Sequence, residues 1–290
     1  LLIQFIIFVF MRKIKNIEIE GKHHRPILID LFYKENTSPK DIVIFCHGYK
    51  GYKDWGAWDL VAESFAKHDL FFLKMNFSHN GGTPEQPIDF PDLEAFGENN
   101  FLKELDDLDS VISWLHRENP YQKEINIDNI SVIGHSRGGG IVVLKAAHDK
   151  RVTKVISWAG VSDFASRFPN GETLELWRKN GVAFITNART NQQMPHYFQF
   201  YTSFRENEAF LTIKTAAEKL SIPYLIVHGR LDETVTLNEA KDLNTWYSES
   251  QLEIIDGANH TFGSAQPWTK HELPEHLSLA VQRTLDFIAL

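Results

Sequence analysis

The sequence predicts an α/β domain, a mostly parallel sheet with helices on both faces. Three observations lead there. Short apolar runs alternate along the chain with stretches of helical spacing, the rhythm of strand and crossover helix. Two of those runs, 41–46 (DIVIFC) and 130–134, are almost continuously apolar, which suits strands buried on both faces. The chain has 290 residues, 43% hydrophobic and 12% aromatic, enough for one large core and far from the composition of a disordered chain.

The elements follow in order. Ile14, Ile17 and Ile19 mark a first strand, a turn spans 21–26, and 27–33 is a second strand. The run 41–46 is the third, followed by a helix over 55–68 and a strand over 70–76. Over 101–115, Leu102, Leu105, Leu108, Val111, Ile112 and Leu115 form the stripe of an amphipathic helix. A strand at 130–134 leads into a buried helix at 138–148. Strands follow at 152–159, 224–228 and 251–255, and a helix over 277–290 ends the chain. The interval from 160 to 219 breaks this rhythm, because it is too long for one crossover. It is rich in aromatics, among them Phe164, Phe168, Trp177, Phe200 and Phe204. It reads as an insertion with its own small core, a cap on a body made of 11–159 and 220–290.

Composition excludes some functions. Lys and Arg number 30 against 38 Asp and Glu, a net charge of −8, which gives nucleic acid no average attraction. A single cysteine, Cys46, excludes an internal disulfide and a cysteine-based zinc site. Residues 1–10 (LLIQFIIFVF) are shorter than the roughly 20 apolar residues a spanning helix needs. Their basic flank, Arg12, Lys13 and Lys15, follows the apolar run, unlike a signal peptide. They are read as a non-native or truncated leader before a start at Met11, with a membrane anchor cut at its front as the competing reading. The expected setting is cytoplasmic, without a membrane or nucleic-acid partner.

The chemistry centres on Gly134-His135-Ser136-Arg137-Gly138. A serine between a strand and a helix, with glycine two residues to either side, is the pattern of a strained turn that lifts a hydroxyl above a sheet. A nucleophilic serine needs a base, and His260 follows the strand at 251–255. The base needs an orienting carboxylate, and Asp232 follows the strand at 224–228, with Glu233 and Asp163 as rivals. All three positions fall in loops at the carboxyl ends of strands, where parallel sheets hold their sites. The expected roles are nucleophile for Ser136, base for His260 and orienting acid for Asp232. Two backbone amides should hold the oxyanion, that of Arg137 and, from the glycine loop after 41–46, that of Tyr49.

With these residues in hand, the chain resembles an α/β-hydrolase from about Ile27 onward. Within that superfamily it is similar to the group of cinnamoyl/feruloyl esterases, dienelactone-hydrolase-like proteins and prolyl-oligopeptidase-like peptidases. The matching stretches are HGYKGYKDW (47–55), GHSRGG (134–139), VHGRLDETV (227–235) and GANHTF (257–262). The resemblance implies an eight-stranded sheet with its second strand antiparallel and a cap after strand six. One departure is MNFSHNG (75–81), where relatives carry Asp-x-Arg-Gly-x-Gly; Asn76 and Ser78 stand at the charged positions.

The expected function is a serine hydrolase that cleaves a carboxylic ester through an acyl-enzyme, with no cofactor and no metal. A peptidase on short peptides, an acyltransferase and a non-catalytic binding protein on the same scaffold are the alternatives. A dehalogenase would need aspartate at 136. Trp177, Gln192, Gln193, Met194 and Tyr197 are the candidate substrate-binding residues, and a homo-oligomer is left open. Three features are read as structural. His271 and His276 are separated by Pro274 and cannot share a helical face for zinc. The acidic run 104–109 is read as a solvated helix face. Cys46 is read as an inert core thiol.

Overall fold

The computed structural model describes residues 10–36 and 38–290, so the leader expected over 1–10 lies, Phe10 apart, outside the described residues. The chain runs through β1 (Met11–Glu20), β2 (Pro26–Lys34), β3 (Lys40–Cys46), α1 (Trp58–Lys67), β4 (Phe71–Asn76), α2 (Leu93–Glu98), α3 (Phe101–His116), β5 (Ile125–His135), α4 (Arg137–His148) and β6 (Lys154–Trp158). A single 3-10 turn, Ala165–Arg167, precedes α5 (Gly171–Asn180), the hairpin of β7 (Val182–Thr186) and β8 (Gln193–Tyr197), α6 (Gln199–Glu206), α7 (Glu208–Leu211) and α8 (Ile213–Glu218). The remaining elements are β9 (Tyr224–Gly229), α9 (Leu237–Trp246), β10 (Gln251–Ile255) and α10 (Glu275–Ile288).

Eight strands form one sheet in the order β1-β2-β4-β3-β5-β6-β9-β10. Only β2 runs against its neighbours, and every pair from β4 to β10 is parallel. The sheet therefore has the eight strands and the antiparallel second strand that the resemblance implies. Successive side chains of a strand point to opposite faces, and β3 shows the consequence. Ile42, Ile44 and Cys46 join the core under α3, α4, α8 and α9. Val43 and Phe45 join the core under α1 and α10. Both faces are covered, which is why 41–46 reads as one apolar run.

Helix α3 begins where the Asn100 side chain accepts the Lys103 amide at 2.9 Å, satisfying a donor left free by the first turn. Its acidic run departs from the expected solvated face. Glu104 and Asp107 are buried, Glu104 pairing with Arg137 and Asp107 accepting from the Ser78 amide and hydroxyl, so partners from other elements draw these two carboxylates inward. The aromatics of 160–219 do not form a separate core. Phe101 of α3 stacks on Phe164 with ring centroids 3.8 Å apart, and Phe168, Phe200 and Phe204 continue the same cluster. Among the described residues no helix is long and apolar enough to cross a membrane.

Candidate active site

Ser136 sits at the junction of β5 and α4 with φ 56° and ψ −120°, a backbone conformation that L-residues seldom hold. The surroundings enforce it. Ser136 donates its amide to the Trp158 carbonyl at 2.9 Å, and its own carbonyl accepts from Gly139 and Val161. A Cβ on Gly134 would lie 2.1 Å from the Gly138 carbonyl oxygen, and one on Gly138 would lie 2.5 Å from the Cys46 oxygen. Both contacts are far inside van der Waals distance, so this turn closes only with glycine on each side.

His260 and Asp232 meet the serine. His260 Nδ1 lies 2.8 Å from Asp232 Oδ2, and its Nε2 lies 3.0 Å from Ser136 Oγ. A carboxylate can only accept, so Nδ1 carries the proton and Nε2 is free to accept the serine hydroxyl. Asp232 Oδ1 accepts the Thr234 and Val235 amides, each at 2.9 Å. Burial pushes the Asp232 carboxyl upward, but the His260 hydrogen bond and charge together with those amides outweigh it, and the carboxyl is held below its ordinary value. The rival Asp163 is engaged elsewhere, accepting the Ala165 and Ser166 amides of the 3-10 turn.

The loop after β3 lies against Ser136. A Cβ on Gly48 would come within 2.8 Å of Ser136 Cβ, so the loop passes this close only because residue 48 is glycine. His47 bridges the loop, its Nδ1 donating to the Gly48 carbonyl at 2.9 Å and its Nε2 accepting from the Phe77 amide at 3.4 Å. Burial pushes its pKa down to about 4, so it stays neutral. Among the described residues neither the Tyr49 nor the Arg137 amide donates a hydrogen bond within the protein.

Ser136 opens into a cavity of about 650 Å³. Its walls are mostly apolar, with Phe101, Phe164, Phe168, Trp177 and Phe200 among them. Two cations reach it, and both are already paired: Arg137 with Glu104 at 3.1 Å, and Arg167 with Glu239 at 2.5 Å. Of the five residues expected to bind substrate, Trp177 lines the cavity. The other four lie outside its wall. Gln192 donates to the Phe90 carbonyl, and Gln193 bonds Thr186 across the hairpin. Met194 packs with Tyr52, Phe90 and Phe96, and the Tyr197 hydroxyl donates to Glu94. His196, which is not among the five expected residues, lines the cavity, and its Nε2 lies 2.7 Å from the Tyr49 hydroxyl. The signal that could find it is the alternation of Met194 and His196 on one face of β8, which Pro195 between them obscures.

Comparison with known proteins agrees with this architecture. Residues 41–184, about half of the chain, match the family model described as the alpha/beta hydrolase fold. The chain belongs to the α/β-hydrolase superfamily. It is similar to an uncharacterized peptidase, YtmA, of Bacillus subtilis, 25% identical over 132 residues, which are 41% of this chain and 46% of that protein. It therefore spans just under half of that relative's length. It is also similar to 2-hydroxymuconate semialdehyde hydrolase of Pseudomonas sp. strain CF600, 24% identical over 269 residues, 82% of this chain and 83% of that one. Among solved structures it resembles Est1E from Butyrivibrio proteoclasticus with ferulic acid bound, at a TM-score of 0.68 and 18% identity, covering 94% of this chain and 98% of that one. Dienelactone hydrolases and peptidases share the fold.

Proposed function

We propose that this protein is a serine hydrolase that cleaves a carboxylic ester through an acyl-enzyme on Ser136. The observation that carries the reading is the hydrogen-bonded series Ser136–His260–Asp232, with the serine at a strained turn facing the cavity. In the proposed sequence Ser136 Oγ attacks the ester carbonyl while His260 Nε2 takes its proton. The tetrahedral oxyanion is held by the amides of Tyr49 and Arg137. Its collapse expels the alcohol, which takes the proton from His260, and leaves an acyl ester on Ser136. Water, deprotonated by His260, then releases the acid and restores the serine. Asp232 keeps the proton on Nδ1 and stabilises the imidazolium. Each oxyanion donor is worth about 3 kcal/mol of barrier.

The cavity favours an uncharged acyl group, aryl or short aliphatic. Its arginines are neutralised by Glu104 and Glu239, which leaves apolar area as the main source of binding. A peptidase is the second reading, on the likeness to YtmA.

The test is labelling with a fluorophosphonate, followed by turnover of p-nitrophenyl esters of rising acyl length and of aminoacyl-anilides. Labelling at Ser136, absent in Ser136→Ala and strongly reduced in His260→Ala, is expected, with esters turned over faster than anilides. Asp232→Asn should lower kcat by about 10⁴-fold, while Asp163→Asn leaves it unchanged. Hydrolysis that survives Ser136→Ala would sink the assignment. A folded chain that is neither labelled nor active would favour a binding protein.

A further inference from the structure

The two amides proposed for the oxyanion belong to residues whose side chains lie on each other. The guanidinium carbon of Arg137 is 4.6 Å from the ring centroid of Tyr49, a cation–π stack. Each member has an outer anchor. Arg137 donates to Glu104 of α3 at 3.1 Å. The Tyr49 hydroxyl meets Nε2 of His196 at 2.7 Å, and His196 comes from β8, 147 residues further along the chain.

His196 is itself held firmly. It is buried, its carbonyl accepts the Trp177 indole N–H at 2.8 Å, and its ring packs between Phe96 and Phe200 at centroid distances of 5.4 and 5.8 Å. Burial, then the charges of Arg137 and Lys50, push its pKa down to about 4. A neutral imidazole with its proton on Nδ1 accepts the Tyr49 O–H at Nε2, and one with its proton on Nε2 donates to the hydroxyl oxygen; in both tautomers a single bond joins the two side chains. The loop it grips is a tight turn, closed by the Gly51 amide on the Gly48 carbonyl at 3.0 Å, with Lys50 at φ 53°. Because the Tyr49 amide has no partner of its own among the described residues, the tyrosine side chain tethers it from outside.

We infer that His196 is a positioning residue: through the Tyr49 hydroxyl it fixes the 47–51 loop, and so the hairpin of β7 and β8 sets the oxyanion donor. This rests on the serine-hydrolase reading above. A donor displaced by about 1 Å can cost up to about 100-fold in rate, whereas the cavity wall, and with it substrate binding, is largely kept when only the hydroxyl is removed.

The experiment compares Tyr49→Phe, His196→Phe, His196→Gln and the double variant Tyr49→Phe/His196→Phe, using steady-state hydrolysis of a p-nitrophenyl ester by the full chain. Each phenylalanine variant is expected to lower kcat by about 10-fold with KM within about twofold. The double variant should be no slower than the slower single, since both remove one bond. His196→Gln offers an amide oxygen in place of Nε2 and should recover much of the loss. The inference is overturned if KM rises while kcat holds, if the losses multiply in the double variant, or if glutamine is as poor as phenylalanine. Failure of the underlying reading looks different: the wild-type chain would be neither labelled by fluorophosphonate nor active, and the inference would fall with it. An active, labelled wild type with an unchanged His196→Phe kcat overturns the inference alone.

Discussion

His135 Nε2 donates to the backbone oxygen of His260 at 2.9 Å, so the residue before the elbow serine holds the main chain of the histidine that faces that serine. Their rings stand 4.9 Å apart, and the other side of His135 packs on Trp58 at 5.4 Å. A carbonyl can only accept, so Nε2 carries the proton. Burial first, and the neighbouring His260 second, push the His135 pKa down to about 3, which keeps the ring neutral at any working pH. His135→Phe keeps the ring but leaves the carbonyl unbonded. A lost hydrogen bond of this kind is worth about 1–1.5 kcal/mol, so kcat and the fluorophosphonate labelling rate should both fall by about 10-fold. Unchanged labelling would reduce His135 to a packing residue.

Asp107 makes a stability prediction with a definite sign. Its Oδ2 accepts the Ser78 amide at 2.7 Å, its Oδ1 lies 3.0 Å from Ser78 Oγ, and that hydroxyl lies 2.8 Å from His79 Nδ1. Burial pushes the carboxyl up to about 7, against the Ser78 hydrogen bonds and with help from the Glu104 charge. In the unfolded chain it titrates near 4. Between about pH 4 and 7 the folded state therefore holds a proton that the unfolded state has released. Stability from this group is fully present below about pH 4 and is lost as pH rises to about 7, by up to about 1.4 kcal/mol per pH unit. Asp107→Asn keeps an acceptor for the Ser78 amide and a donor for its hydroxyl. Urea unfolding at pH 5 and pH 8 should show the variant gaining stability relative to wild type at the higher pH. A difference that does not change with pH would show that Asp107 is ionised throughout.

These two carboxylates also mark where sequence reading stops. The elbow is legible because its constraints are local: Gly134, Ser136 and Gly138 are the residue types that one tight turn admits. Asp232 and His260 are legible because strands end just before them, and the carboxyl edge of a parallel sheet gathers such loops. The acidic run 104–109 misleads because charge and spacing describe the helix but not what docks on it. Glu104 and Asp107 turn inward only because Arg137 and Ser78, from other elements, receive them. The substrate-binding residues fail for a related reason. Gln192, Gln193, Met194 and Tyr197 fall in a short hairpin whose second strand contains Pro195, a poor strand signal, so the sequence does not mark the face that alternation turns toward Tyr49. His196, next to Tyr197 and two residues from Met194, is the β8 side chain that lines the cavity.

The strongest stability prediction concerns charges that break the apolar runs of β2 and β4. Asp30 and Lys74 stand directly opposite each other in the antiparallel register, and both are fully buried. Lys74 Nζ lies 3.0 Å from Asp30 Oδ2, and Lys53 Nζ lies 2.8 Å from Asp30 Oδ1, also fully buried. Asp54 and Asp59 complete the cluster with Lys15, three carboxylates against three ammonium groups. The acidic trio has the spacing of a metal site, but the lysines already occupy its oxygens. Buried ions are tolerated when paired and are costly when one partner is removed, about 3–5 kcal/mol. Lys74→Met should therefore lower Tm by roughly 6–15 °C, while hydrolysis per folded molecule at 25 °C stays at the wild-type level. Asp30→Asn/Lys74→Met removes both opposed charges and should be more stable than Lys74→Met alone, because the aspartate is no longer left with one ammonium fewer. Thermal unfolding of the three proteins decides it: equal Tm values for the single and double variants would mean that packing around residue 74, and not charge pairing, carries the loss.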